Sequence, residues 1–310
     1  MVDEGPVDAP RRTGWERGGR LTQTRTPDID GVGDDVSGVH MAHLRCDFFS
    51  DALELSTSMT VVLPQPTTSQ IGMTGTAPEG DTPVLYLLHG LSDDDTIWLR
   101  RTSIERYVAP LGLAVVMPQV HRSFYLDGVH TGRYWTFVAE ELPDIVARFF
   151  RVSVRREDTF VAGLSMGGYG ALRLALHQPE RFAAAASLSG VLDVPSLQQQ
   201  SGRDQLMTAV FDGRDAAGSD DDLIDLLGRV DAATLPALYV ACGTEDPVVD
   251  GNHRFVEAAC DHGVDVTPSF GPGEHEWELW DTTIRDVLAW LPLAYHGTTS
   301  ADGTIRPAGT

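Results

Sequence analysis

"AGLSMGGYGALRLALHQ", Ala162 to Gln178, passes from an apolar run through a Gly-Ser-Gly cluster into an amphipathic helical pattern with no residues left over for a loop. Extended on its amino side by "TFV", the segment reads as a buried strand turning at once into a helix. The pentapeptide "GLSMG", Gly163 to Gly167, fits G-x-S-x-G, and a sharp strand-to-helix turn is the setting in which that motif lifts a serine hydroxyl above a sheet. Gly163 and Gly167 suit a turn where a Cβ would meet neighbouring strands. Ser165 would stand beside the positive end of the following helix. G-x-S-x-G also arises by chance in a chain with 31 glycines, so the strand-helix context carries the assignment.

Working outward, the same alternation recurs. Short, nearly continuous apolar runs at Val84–Gly90, Leu113–Pro118, Thr159–Ser165, Ala183–Gly190 and Ala237–Gly243 read as strands buried on both faces, followed by a mixed run at Val264–Phe270. Helical patterns lie between them at Trp98–Val108, Trp135–Phe150, Met166–His177, Asn252–Cys260 and Trp277–Trp290. Strand-helix alternation predicts an α/β fold with a mostly parallel central sheet and helices on both faces. Ligands then bind at the carboxyl ends of the strands. "LRCDFFSDALELSTSMTVVLP", after Met41, alternates as two antiparallel strands. Residues 1–40 and 296–310 are rich in Gly, Pro, Asp and Arg or otherwise poor in apolar residues, and are expected to be disordered tails flanking one domain over 41–295.

A serine hydroxyl is a weak nucleophile, so a base and an orienting acid should follow it on later strand ends. "TEDPVVDGN" follows the strand Ala237–Gly243, which makes Asp246 the expected acid, with Glu245 and Asp250 as rivals; Asp250 falls where the next helix starts. "FGPGEHEWELWD" follows the next strand and makes His275 the expected base. His177, His253 and His262 fall on helices or a helix-to-strand turn. A developing oxyanion needs two backbone donors, expected from Met166, next to the nucleophile, and Leu91 in "HGLSDDD". His89 reads as a brace for that loop. Trp98, Phe124, Tyr125, Tyr134 and Trp277 lie near strand ends, and Tyr125 and Tyr134 are the candidates for substrate contact; core packing is the common fate of such aromatics. Asp93–Asp95 read as charges at a helix start rather than a cation site.

Composition narrows the partners. Forty-five acidic residues face 23 basic ones, all arginine, for a net charge of −22. Such a surface repels phosphate backbones and anionic headgroups, so neither nucleic acid nor a membrane is an expected partner. The Lys-free acidic balance suits a high-GC genome or adaptation to salt. Cys46, Cys242 and Cys260 are too few and too scattered for a disulfide framework or a zinc site, and no motif calls for a cofactor or metal. With no apolar run of membrane-spanning length and no signal-like amino terminus, a cytoplasmic location is expected. A homo-oligomer is compatible with the sequence.

"VLYLLHGLSDDDTIWLRRTSIERY", "RYWTFVAEELPDIVARFF", "AGLSMGGYGA", "CGTED" and "GEHEWELWD", in that order over Met41–Leu293, resemble the α/β-hydrolase esterases grouped with tributyrin esterases and S-formylglutathione hydrolases. "EHEWELWD" is nearer the tributyrin-esterase branch. The resemblance implies an α/β-hydrolase fold and a serine carboxylesterase acting on a small-molecule acyl ester through an acyl-enzyme. It implies Ser165 as nucleophile, His275 as base, Asp246 as acid, Leu91 and Met166 as the oxyanion hole, and no cofactor. The Arg-rich amino-terminal segment and "VPSLQQQSGRD" depart from the family pattern. Residues 191–236 hold any cap over the site, with "GSDDDLIDLLGR" as the clearest helix; this acidic stretch offers little apolar surface, which favours short acyl esters over lipids. The alternatives are a thioesterase of the S-formylglutathione hydrolase type, an acyltransferase, or an inactive hydrolase-fold binding module.

Overall fold

A computed structural model describes residues 39–66, 78, 80–128, 130–200, 202 and 204–293. The expected tails, apart from Val39 and His40, lie outside these residues; those two begin the first strand.

The apolar runs become the strands β1 (Val39–Ser50), β2 (Leu55–Pro66), β3 (Val84–Leu88), β4 (Ala114–Pro118), β5 (Asp127–Gly128), β6 (Gly132–Arg133), β7 (Thr159–Leu164), β8 (Ala184–Leu188), β9 (Ala237–Gly243) and β10 (Val266–Gly271). Apart from the small β5–β6 hairpin, they form one sheet in the order β1-β2-β4-β3-β7-β8-β9-β10. β1, β2 and β4 pair antiparallel in sequence, and every pairing from β4 to β10 is parallel.

Alternation along each strand divides the core in two. Val84, Tyr86 and Leu88 enter one apolar cluster, with Leu142 and Val146 of the helix Leu142–Phe149, Leu172 of the helix Met166–His177, and Phe255 of the helix Val249–Asp261. Leu85 and Leu87 point the other way, to Ile97, Ile104, Val108 and the helix Trp277–Trp290. Helices therefore cover both faces, as expected of strands with no polar side.

Three helical expectations are revised. Trp98–Val108 is two short helices, Ile97–Arg101 and Ile104–Val108. The break is held by the Thr102 hydroxyl, which donates to the Trp98 carbonyl at 2.6 Å, and by Asp281, which accepts the Ser103 amide at 3.1 Å. Trp135–Phe150 is interrupted by a π-helical stretch, Phe137–Glu141, that turns Glu141 toward the β1–β2 turn, where it accepts the Asp51 amide at 2.7 Å. "GSDDDLIDLLGR" contains only the single turn Leu223–Leu226, because its aspartates are spent elsewhere. Asp222 caps that turn, Asp220 pairs with Arg229 at 2.6 Å, and Asp221 is drawn to Arg173 at 2.8 Å.

That last pair fastens the segment 191–236 to the helix Met166–His177, which carries Arg173. Both side chains are about one-tenth exposed, the Arg173 guanidinium lies 3.9 Å from the Trp135 ring centroid, and the Tyr169 hydroxyl donates to the Asp221 carbonyl at 3.0 Å. Removing one partner of a buried pair strands the other's charge, at about 3–5 kcal/mol. Asp221→Ala is therefore expected to lower Tm by on the order of 10 °C in calorimetry.

Candidate active site

The chain order of the strands reverses between β3 and β7, which lie side by side with Leu88 opposite Gly163. A crevice at such a reversal is where open parallel sheets bind ligands, and the loops after these strands carry the expected oxyanion donors and nucleophile.

From Asp158 to Leu176 every residue is buried except Ser165. Its backbone sits at φ +53° and ψ −117°, a left-handed conformation costing about 1–3 kcal/mol in a non-glycine residue. Surrounding bonds impose it: the Ser165 amide donates to the Leu188 carbonyl at 2.9 Å, and the Ser165 carbonyl accepts from Val191 and Tyr169, each at 3.2 Å. The flanking glycines are dictated by space. A Cβ at Gly163 would lie 2.3 Å from the Gly167 oxygen, and one at Gly167 would lie 2.5 Å from the Leu88 oxygen.

The structure brings Ser165, Asp246 and His275 together. His275 Nε2 is 3.0 Å from Ser165 Oγ, and His275 Nδ1 lies 2.9 and 3.1 Å from the two Asp246 carboxylate oxygens. Burial alone would raise the Asp246 carboxyl. The hydrogen bond from His275, aided by the Val248 amide, outweighs it and holds the group below the ordinary carboxylate range. An ionised acceptor at Nδ1 keeps the proton there and leaves Nε2 free to accept one from Ser165.

Two loops hold Asp246 and His275. The Thr244 amide donates to the Gly271 carbonyl at 2.8 Å and the Glu245 amide to the Gly273 carbonyl at 3.1 Å, while the Glu245 carboxylate accepts the Gly273 amide at 2.7 Å. The approach requires glycine at both ends, since a Cβ on Gly243 would lie 2.1 Å from the Gly273 oxygen and Gly273 itself has φ +145°. Glu245, a rival for the acid, is thus a fastener between the loops. Asp250 is exposed in the first turn of the helix Val249–Asp261. His253 stacks on Phe270, His262 ends that helix, and His177 faces the Asp220 carbonyl, so none of the three joins the site.

On the opposite wall, His89 is fully buried rather than partly so. Burial lowers its pKa and keeps it neutral: Nδ1 donates to the Gly90 carbonyl at 2.7 Å, and Nε2 accepts the Val120 amide at 3.1 Å. The Gly90–Leu91 loop is thereby tied to the loop after β4. A Cβ built on Gly90 would be 3.7 Å from Ser165 Cβ, which sets this loop against Ser165. The Met166 amide, first in its helix, has no partner within the helix. Leu91 follows Gly90 and is half-buried.

The aromatic candidates divide. Tyr125 is wholly buried, with its hydroxyl donating to the His89 carbonyl at 2.9 Å, and its ring packs where a Cβ on Gly170 would lie 2.5 Å away. It stands behind the Gly90–Leu91 loop, closed off from solvent. Tyr134 is nearly buried and lies edge-on to His121, with ring centroids 6.1 Å apart. Trp98 and Phe124 are core residues, and Trp98 also donates to the Leu88 carbonyl at 3.1 Å. Asp93–Asp95 split three ways. Asp95 is buried against Thr60 and Arg45, Asp94 takes Thr96 and Arg100, and the half-buried Asp93 lies beside Gly90.

Among residues the sequence reading passed over, Ser189 and Cys242 lie beside Asp246. Burial and that carboxylate push the Cys242 thiol up to about 12, so it stays protonated and is no nucleophile. Among the described residues no group of His, Cys, Asp and Glu is arranged to hold a metal ion, and no helix is long and apolar enough to cross a membrane.

Comparison with known proteins agrees with this architecture. The family model described as "Putative esterase" matches residues 50–291. An acetyl esterase of Caldicellulosiruptor saccharolyticus is 28% identical over 262 residues, covering 81% of this chain and 98% of that protein. Two solved structures from Staphylococcus aureus, each 32% identical over 82% of this chain and 99% of theirs, superpose closely. They are the substrate-bound fluorophosphonate-binding serine hydrolase FphF, with a TM-score of 0.74, and the S-formylglutathione hydrolase FrmB, with a TM-score of 0.71. The parallel sheet, its helices on both faces and these relatives make this chain a carboxylic ester hydrolase of the α/β-hydrolase fold, a member of that esterase family.

Proposed function

We propose that the protein hydrolyses short-chain acyl esters with Ser165 as nucleophile, His275 as base and Asp246 as orienting acid. The observation that carries this reading is His275 bridging the other two, 3.0 Å from Ser165 Oγ and 2.9 Å from the Asp246 carboxylate. Ser165 Oγ attacks the ester carbonyl carbon while its proton passes to His275 Nε2. The carbonyl oxygen becomes an oxyanion facing the amides of Leu91 and Met166. Collapse breaks the bond to the alkoxy group, which leaves as an alcohol with the proton from Nε2, and the acyl group remains on Ser165. Water then gives a proton to Nε2 and attacks the acyl carbon; the carboxylic acid departs and Ser165 recovers its proton.

Surface chemistry supports a small ester. The exposed large hydrophobic side chains among the described residues are Phe49, Leu55, Phe149 and Val154, none of them in the segment 191–236. Leu192, Val194, Val210, Phe211 and Leu223 of that segment are turned into the core. A lid that engages lipid would present such side chains outward.

Initial rates on p-nitrophenyl esters from acetyl to octanoyl are expected to peak at the short end, and to be unchanged by a chelator. A peak at octanoyl would contradict the short-chain assignment. The likeness to FrmB favours a thioester as the second reading. A kcat/KM on S-formylglutathione above that on every oxygen ester would move the assignment there, and acyl transfer to an added alcohol outpacing hydrolysis would make the protein an acyltransferase.

A further inference from the structure

The His275 imidazole has a third neighbour besides Ser165 and Asp246. The Trp280 ring stands at 87° to it with centroids 4.9 Å apart. Trp280 lies in the first turn of the helix Trp277–Trp290, is 5% exposed, and meets Trp277 edge-on at 5.1 Å. Its indole N–H donates to Ser189 Oγ at 3.0 Å, in a fully buried contact. Ser189 follows β8 directly, is 1% exposed and adopts φ +47°, a conformation unfavourable for a serine and natural for glycine. Its amide donates to the Ala241 carbonyl at 2.7 Å, which locks the main chain in that form. A strained serine kept where glycine would be at ease suggests that the hydroxyl is needed. Accepting from Trp280 leaves the hydroxyl proton free, and Ser189 is among the groups that hold the Asp246 carboxyl down.

From this arrangement we infer that Ser189 and Trp280 form a clamp that positions His275: the hydrogen bond fixes the indole, and the indole fixes the plane of the imidazole against Asp246 and Ser165. Both are positioning residues, since neither is argued to touch the reacting atoms. The inference rests on the esterase reading above for its kinetic arm alone.

The test uses the full chain with Ser189→Gly, which keeps the backbone conformation, Trp280→Phe, which keeps a ring and loses the donor, and the double variant. Each single change is expected to lower kcat on p-nitrophenyl acetate about 3- to 10-fold, the range of one neutral hydrogen bond, with KM within about twofold. The double variant should be no slower than the slower single, because the two residues act through one bond. The proton shared by His275 Nδ1 and Asp246 gives an independent reading as a low-field proton resonance, assigned by its loss in His275→Ala; both single variants should shift or broaden it. Losses that multiply in the double variant, or a resonance that stays in place, would overturn the clamp. A Ser165→Ala variant as active as the wild type would instead overturn the esterase mechanism, and the resonance would still decide the clamp.

Discussion

Ser165→Ala is expected to lower kcat on p-nitrophenyl acetate by about 10⁴ to 10⁶, with His275→Ala close behind and the double variant little worse than either. The reason is geometric. The attacking oxygen and the nitrogen that takes its proton are 3.0 Å apart, and among the described residues the thiol nearest the site, Cys242, is protonated and buried. Once either member is lost, the survivor has no partner with which to form an acyl-enzyme, so the second loss has little left to remove. Residual turnover would come from binding and the oxyanion amides. Ser165→Ala should fold normally, because the Ser165 main-chain bonds to Leu188, Val191 and Tyr169 do not use the hydroxyl. Mass spectrometry of the wild type mixed with a fluorophosphonate should show one adduct, absent from Ser165→Ala. Full activity in Ser165→Ala would remove the mechanism outright.

Asp246→Asn should cost about 10⁴ in kcat, while Asp250→Asn stays within about twofold. An amide in place of the Asp246 carboxylate can offer an N–H to His275 Nδ1, which reverses the imidazole tautomer and puts the proton on Nε2, where the base must be empty. The Val248 amide, which reaches Asp246 Oδ1 at 3.0 Å, would hold the oxygen of the new amide and leave its NH2 toward His275. Asp250 projects into solvent from a helix start and contacts neither member of the pair. The two kinetic profiles together discriminate between the aspartates. A crippled Asp250→Asn beside a healthy Asp246→Asn would reassign the acid.

Much of this site could be read from residue order. Strands buried on both faces give continuous apolar runs, so the sheet was visible, and in a parallel sheet chemistry gathers at the strand ends, so Ser165, Asp246 and His275 could be placed by the strand each one follows. Contacts between loops could not be read. Nothing local distinguishes Glu245 from Asp246; what separates them is that one reaches the Gly273 amide and the other the imidazole. Tyr125 reads as a pocket aromatic because it follows a strand end, but a left-handed turn at Phe124 and Tyr125 swings it under the His89–Leu91 loop. The helix in "GSDDDLIDLLGR" was overestimated because its pattern hides that Asp220 and Asp221 are claimed by arginines far away or on the next turn. Ser189 carried one faint sign, a polar residue directly after a parallel strand.

The fastening of the β9 and β10 loops through Gly243, Glu245 and Gly273 divides labour within the molecule. Asp246 and His275 ride on one stapled unit, so their mutual alignment is set by the bonds between those two loops. The segment 191–236 is attached in two places: away from that unit through Arg173, Tyr169 and Asp221, and beside it where the Val191 amide reaches the Ser165 carbonyl and Asp193 pairs with Arg254. Exchanges around Asp221 are therefore expected to leave the Asp246–His275 alignment as it is, whereas exchanges at Val191 are expected to disturb Ser165.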